Sequence, residues 1–249
     1  AALASIFFGL FPALRASKTD LNASLKEGGE RSGSGPQSDR LRAALIVCEV
    51  ALSVVLLVGA GLLIRSFWLV TQVDPGFNPD KALAVSLWLP SSKYPENHQQ
   101  VAFYRELTRR FERLGGVSSV GGVSNLPLDG ADATRSFIVA GRPLPAPGEK
   151  IDLGFRVVTP GYFRTMGIPL VQGRSFTERD DTDAPRVLIL NERMSRLIWP
   201  EEDSIGQRIS FDGPEGPWHE IVGIVGDTRY DGLDEPSRGA MYAPLPQKP

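Results

Sequence analysis

From Ala43 to Ile64 the chain reads AALIVCEVALSVVLLVGAGLLI, with a single charge, Glu49, and with Arg42 and Arg65 standing at its two ends. At helical rise this run covers about 33 Å, and a bilayer's hydrocarbon core is about 30 Å thick. The run therefore predicts a transmembrane helix. A buried helix of a soluble protein is the alternative, but such helices seldom run this long without a polar stripe. A secretory signal fits poorly, since the run is too long, starts well inside the chain and lacks a small-residue cleavage pattern after it.

The flanks give an orientation. Arg15, Lys18, Lys26, Arg31, Arg40 and Arg42 precede the run, whereas after Arg65 no basic residue follows until Lys81. Basic loops stay cytoplasmic, which places residues 15–42 inside and the chain beyond about Ser66 outside. Glu49 is costly so deep in a bilayer unless it pairs or reaches the interface. With Ser53 and Ala60 it falls on one small, polar helix face suited to packing on another membrane helix. Snorkelling of Glu49 to the cytoplasmic headgroups is the second reading, and the sequence leaves both open.

Residues 1–14 (AALASIFFGLFPAL) are apolar from the first position and too short to span alone, so they are expected to be the end of a truncated membrane helix. Residues 15–42 are then a cytoplasmic linker, Gly- and Ser-rich from 26 to 39 and expected to be flexible.

After a stalk at 65–80, residues 81–249 change to short apolar runs broken by Pro and Gly. Leu83, Val85, Leu87 and Leu89 alternate as in a strand. Phe103, Leu107, Phe111 and Leu114 recur at helical spacing over 97–114, and Gly115 is the expected C-cap. Val117–Val123 reads as a strand, completing a β-α-β unit. Further strands are expected at 136–140, 153–159, 168–172, 186–190, 205–211 and 220–225, with helices at 162–166 and 191–199. This order implies an α+β fold with a mixed sheet and two subdomains, preceded by a transmembrane helix.

Several function classes are excluded. A net charge of −2 does not suit a nucleic-acid binder. Cys48 is the sole cysteine and lies in the membrane run, so the outer domain has no disulfide. Two histidines, His98 and His219, build no zinc site, and no G-x-x-x-x-G-K-[ST] sequence occurs, so no P-loop holds ATP. The acidic run 180–183 reads as a solvated turn rather than a calcium loop. No cofactor, metal or catalytic residue is expected, and an anchored hydrolase lacks a converging nucleophile and base.

The chain resembles the permease subunits of the MacB-like and FtsX-like ABC transporter family, in particular the subgroup with a duplicated permease unit. Pro12 through Leu25 is similar to the sequence that closes an FtsX-like membrane unit. Glu49-Val50-Ala51-Leu52-Ser53 through Leu63, then Arg65-Ser66-Phe67 and Asp74-Pro75-Gly76-Phe77, is similar to the opening helix and stalk of the next unit. The outer region resembles the MacB-like periplasmic core domain in Val158-Thr159-Pro160-Gly161-Tyr162-Phe163, Met166-Gly167-Ile168-Pro169-Leu170, Gly173-Arg174-Ser175-Phe176, Asn191-Glu192, Ile205-Gly206-Gln207-Arg208 and Ile221 through Asp227. The resemblance implies a bacterial inner-membrane protein that is not itself an enzyme. It implies a separate cytoplasmic ATPase subunit, a second permease unit or a homodimer, and periplasmic adaptor or substrate proteins as partners. Motion would pass through the membrane helix and a continuous helical stalk from Arg65 to Phe77. A membrane-anchored sensor with an extracytoplasmic ligand-binding domain is the rival reading.

Overall fold

The computed structural model describes residues 36–130, 133–144 and 152–248. The expectations for residues 1–14 and for the linker as far as 35 lie outside the described residues. The chain divides into two units, one ending at Ile64 and the other running from Arg65 to Pro249.

Helix α1 spans Pro36–Thr71 without a break. It runs beyond the apolar stretch at both ends, which corrects two expectations. Residues 36–42 are helical rather than part of a flexible linker: Pro36 sits at the helix start, where its missing N–H costs nothing, and strong helix formers follow. At the other end the helix takes in Arg65 to Thr71 of the stalk and stops there. Apolar residues are exposed on every side of it, among them Val47, Leu52, Leu56, Leu63 and Phe67. Among the described residues it is the one helix long and apolar enough to cross a membrane.

The second unit is organised on an eight-stranded mixed sheet. Its strands are β1 (Thr134–Ser136), β2 (Ile138–Val139), β3 (Asp152–Val158), β4 (Leu170–Gly173), β5 (Val187–Asn191), β6 (Arg208–Ser210), β7 (Trp218–Val225) and β8 (Ala240–Pro244). The order is β1-β3-β8-β5-β7-β6-β2, with β4 also against β7. The pairs β3/β8 and β5/β7 are parallel, and the other pairings are antiparallel. The central strands β5 and β8 are buried at every residue. Alternate side chains along them enter different clusters: Leu188, Leu190, Met241 and Ala243 join one, and Val187, Ile189, Ala240 and Tyr242 the other. A strand buried on both faces reads as a continuous apolar run, and Val187-Leu188-Ile189-Leu190 does so.

Helix α2 is Asn97–Glu112, α3 is Tyr162–Met166 and α4 is Glu192–Ile198. Met194 and Ile198 of α4 complete the first cluster, and Tyr162 and Phe163 of α3 complete the second.

The mixed α+β architecture stands, but its β-α-β unit lies elsewhere than expected. Strand β5, helix α4 and the parallel strand β7 form one, with β6 in the connection. Leu83–Leu89 and Val117–Val123 join no ladder among the described residues beyond one bridge from Val123 to Val158. The apolar alternation is present, yet Leu83 is 90% and Trp88 85% exposed. Alternation makes a strand only where a neighbouring backbone takes up its N–H and C=O groups. Helix α2 between these segments forms as expected, though Arg113, not Gly115, caps it. Ile205-Gly206-Gln207 is a turn ahead of β6, with Gly206 at φ +81°.

Candidate functional site

The stalk residues singled out in the sequence fall into two groups. Arg65, Ser66 and Phe67 lie on α1 and are exposed. Asp74, Pro75, Gly76 and Phe77 form a tight turn, not the expected continuation of the helix. The last helical turn closes through Val73 N–H to Val70 O (3.2 Å) and the Thr71 hydroxyl to Trp68 O (2.8 Å). Proline then disfavours a helical Asp74, and the Asp74 carboxylate accepts the Gly76 N–H at 2.8 Å.

This turn is fixed onto the second unit at several points. Arg229 N–H donates to Pro75 O (2.9 Å), and Asn78 N–H donates to Met166 O (2.8 Å). Gly76 has φ +79°, and a Cβ there would stand 1.9 Å from Asp227 O, so only glycine fits. Phe77 packs against the cluster of Val158, Tyr162, Phe163, Val225 and Tyr242.

The receiving loop, Asp227–Tyr230, is itself anchored. The Asp227 carboxylate accepts Arg193 N–H (2.7 Å) in the first turn of α4 and Arg196 Nη2 (2.8 Å). Ser237 Oγ donates to Thr228 O at 2.8 Å. The Tyr230 hydroxyl meets those of Tyr162 (3.0 Å) and Tyr242 (3.4 Å), while the Arg156 guanidinium lies 3.4 Å from the Tyr230 ring centroid. Gly154 makes room for it, since a Cβ there would sit 2.3 Å from Arg156 Nη1. Burial pushes all three phenols well above the ordinary tyrosine range, so they bond one another as neutral groups.

Sequence reasoning singled out Asp74–Phe77 as part of a helical stalk, not as a turn, and did not single out Arg156, Tyr230 or Tyr242. Arg156 lies 74 and 86 positions from Tyr230 and Tyr242, a separation that carries no periodicity, and only the folded sheet brings them together. Glu49, Ser53 and Ala60 are all exposed on α1, and the Ser53 hydroxyl donates back to Glu49 O at 2.8 Å. Asp180 departs from the expected solvated turn. It is buried and accepts both Arg174 Nη1 (2.9 Å) and Nη2 (2.8 Å). Burial opposes its ionisation, but the Arg174 and Thr177 hydrogen bonds prevail and hold the carboxyl below its ordinary value.

For chemistry, the histidines offer little. His98 contacts Glu96 at the surface, and both nitrogens of the buried His219 lack a hydrogen-bond partner. Among the described residues neither imidazole is bonded to a hydroxyl or thiol.

The family model for the MacB-like periplasmic core domain matches residues 44–247. The chain belongs to that family. A curated relative, the macrolide export ATP-binding/permease protein MacB of Aggregatibacter actinomycetemcomitans, is 30% identical over 83 residues, which is 33% of this chain and 12% of the relative. The chain thus spans about an eighth of that relative's length. Similar solved structures include the periplasmic region of MacB from Actinobacillus actinomycetemcomitans (19% identity, 56% of this chain and 55% of that one, TM-score 0.37). Another is the extracellular domain of the noncanonic ABC-type transporter YknZ from Gram-positive bacteria (17% identity, 56% and 61%, TM-score 0.38). The family places the chain among ABC-type transporter permeases, with a membrane helix followed by a periplasmic core domain.

Proposed function

We propose that this chain transmits motion, driven by a cytoplasmic ATPase, from the membrane to an extracytoplasmic domain that exports or extracts substrates across the bacterial inner membrane. The seating of Asp74–Phe77 carries this reading, because it joins the end of one unbroken helix to the core of a sheet by two backbone hydrogen bonds, a glycine contact and a half-buried phenyl ring packed on the core cluster. An element that carries displacement must not absorb it at the joint, and a turn held at four points has little freedom to do so. The relative named above unites ATP binding and permease function; no P-loop occurs in this chain, so ATP hydrolysis falls to another subunit or to a part of the protein beyond this sequence. Residues 65–80 act as the stalk, as helix to Thr71 and as a seated turn after it. Glu49, Ser53 and Ala60 form the face that packs on a second membrane helix, from another permease unit or a second copy.

Insertion of Gly-Gly after Ser66 breaks the helix between the membrane run and the seat. A gene carrying it should fail to complement a deletion while the protein reaches the membrane in normal amount. Full complementation would remove the mechanical reading.

A further inference from the structure

One residue near the seat has an unusual backbone. Leu128 has φ +63°, a strained region for a residue with a side chain that survives only where the surroundings enforce it. It lies at the tip of the Asn125–Gly130 turn and is 40% exposed. Its N–H donates to Tyr230 O at 3.0 Å, and the Leu126 N–H donates to the Asp129 carboxylate at 2.9 Å. The residue before Tyr230 is Arg229, whose own N–H holds Pro75 O. Two residues earlier again, the Asp227 carbonyl faces Gly76. The stalk turn and the strained Leu128 turn therefore hang on one four-residue loop. Phe77 and Tyr230 also pack on the same apolar cluster, so the side-chain side of the loop answers to the stalk as well.

We propose that Asp227–Tyr230 is a relay that makes the conformation of the Leu128 turn depend on whether the Asp74–Phe77 turn is seated. With the stalk seated, the Tyr230 carbonyl is held where it fixes the Leu128 N–H, and the left-handed backbone persists. Unseating the stalk removes the bond to Arg229 N–H and the support of Phe77, the loop shifts, and Leu128 relaxes to negative φ. The seat holds through the transport cycle, so the exposed turn keeps its left-handed backbone while the stalk is engaged and loses it only when the seat is broken. The relay rests on the stalk reading for its purpose and not for its test.

Coupling of this kind needs a perturbation at one site read at the other. Hydrogen exchange is followed in the full chain in lipid nanodiscs. In Phe77→Ala the Leu128 amide should exchange at least about tenfold faster, corresponding to about 1.4 kcal/mol of lost protection, while the Leu188–Leu190 amides of β5 change much less. In Ile209→Ala, which opens the apolar cluster that Phe77 does not touch, Leu128 should stay as in the wild type. Gly76→Ala is the second variant should Phe77→Ala fail to fold, and it should act in the same direction. An unchanged Leu128 amide, or one that quickens only in step with β5, overturns the relay. If the Gly-Gly insertion abolishes complementation while Leu128 ignores Phe77→Ala, the stalk reading stands and the relay falls. If the insertion is harmless while Leu128 responds, the relay stands and the stalk reading falls.

Discussion

Helices α2 and α4 both follow apolar runs in sequence, yet they meet opposite fates in the folded chain. Helix α4 buries Met194 and Ile198, and Asn191 caps it by accepting Met194 N–H at 3.0 Å. The same Asn191 side chain accepts Ala240 N–H and donates to Arg238 O, stitching β5 to the approach of β8. Helix α2 has no buried residue and no side-chain cap, and of the extended segments on either side of it one joins no strand and the other meets the sheet at the single Val123–Val158 bridge. The periodicity of Phe103, Leu107 and Phe111 fixed α2 as a helix, and that face ends half-buried, with Phe103 against Tyr94 (ring centroids 5.3 Å), rather than in the core. Local pattern decides what an element is, and long-range pairing decides whether it is core.

Substitutions at matched positions sharpen this contrast. Leu190→Ala, inside a strand buried on both faces, should cost about 3–5 kcal/mol, whereas Leu107→Ala on α2 should cost under about 1 kcal/mol. Denaturant titration of the full chain in detergent measures both, and equal losses would break the comparison.

The two histidines extend the comparison to pH. His219 is fully buried against Phe211 (ring centroids 5.0 Å), and burial, with Arg186 and Arg135 nearby, lowers its pKa to about 4. The unfolded chain takes up that proton near pH 6.5, so stability falls as pH drops from about 6.5 to 4 and this contribution levels off below that. The loss amounts to about 3 kcal/mol. In His219→Leu that loss should disappear across the window, His219 being the buried one of the two histidines and His98 71% exposed at the start of α2. An unchanged slope in His219→Leu would assign the effect elsewhere. Acid loss from Asp180 comes lower still, because its carboxyl stays ionised below the ordinary value.

The smallest effect concerns the caps. Glu96 precedes α2 in extended backbone without capping it, so Glu96→Asp should add about 0.5–1 kcal/mol to local stability, read as slower exchange in the first turn of α2. No gain there would mean that α2 is limited by its missing packing alone.

Much of the fold was legible. Val187–Leu190 followed by Asn191-Glu192 announced a buried strand and a capped helix, and Tyr162–Met166 a short helix closed by Gly167 at φ +68°. Strand β8 was not, although it lies inside the sheet between β3 and β5. Ala240-Met241-Tyr242-Ala243 lacks β-branched residues and runs into two prolines, so nothing local marks it as a strand. Asp74-Pro75-Gly76-Phe77 carried a turn signature in plain view, but the expectation of a rigid stalk extended the helix through it. Rigidity there comes instead from seating, which needs Arg229 and Met166 from far along the chain.

That seating is the central claim, and a distance tests it. Spin labels at Gln72, just past the end of α1, and Leu197, exposed on α4, bracket the seat. Measured in the assembled transporter, their separation should be one narrow distribution, the same with and without ATP, because the stalk turn moves with the sheet as one body. A second population or a shifted mean on adding ATP would show the joint flexing and would contradict the account.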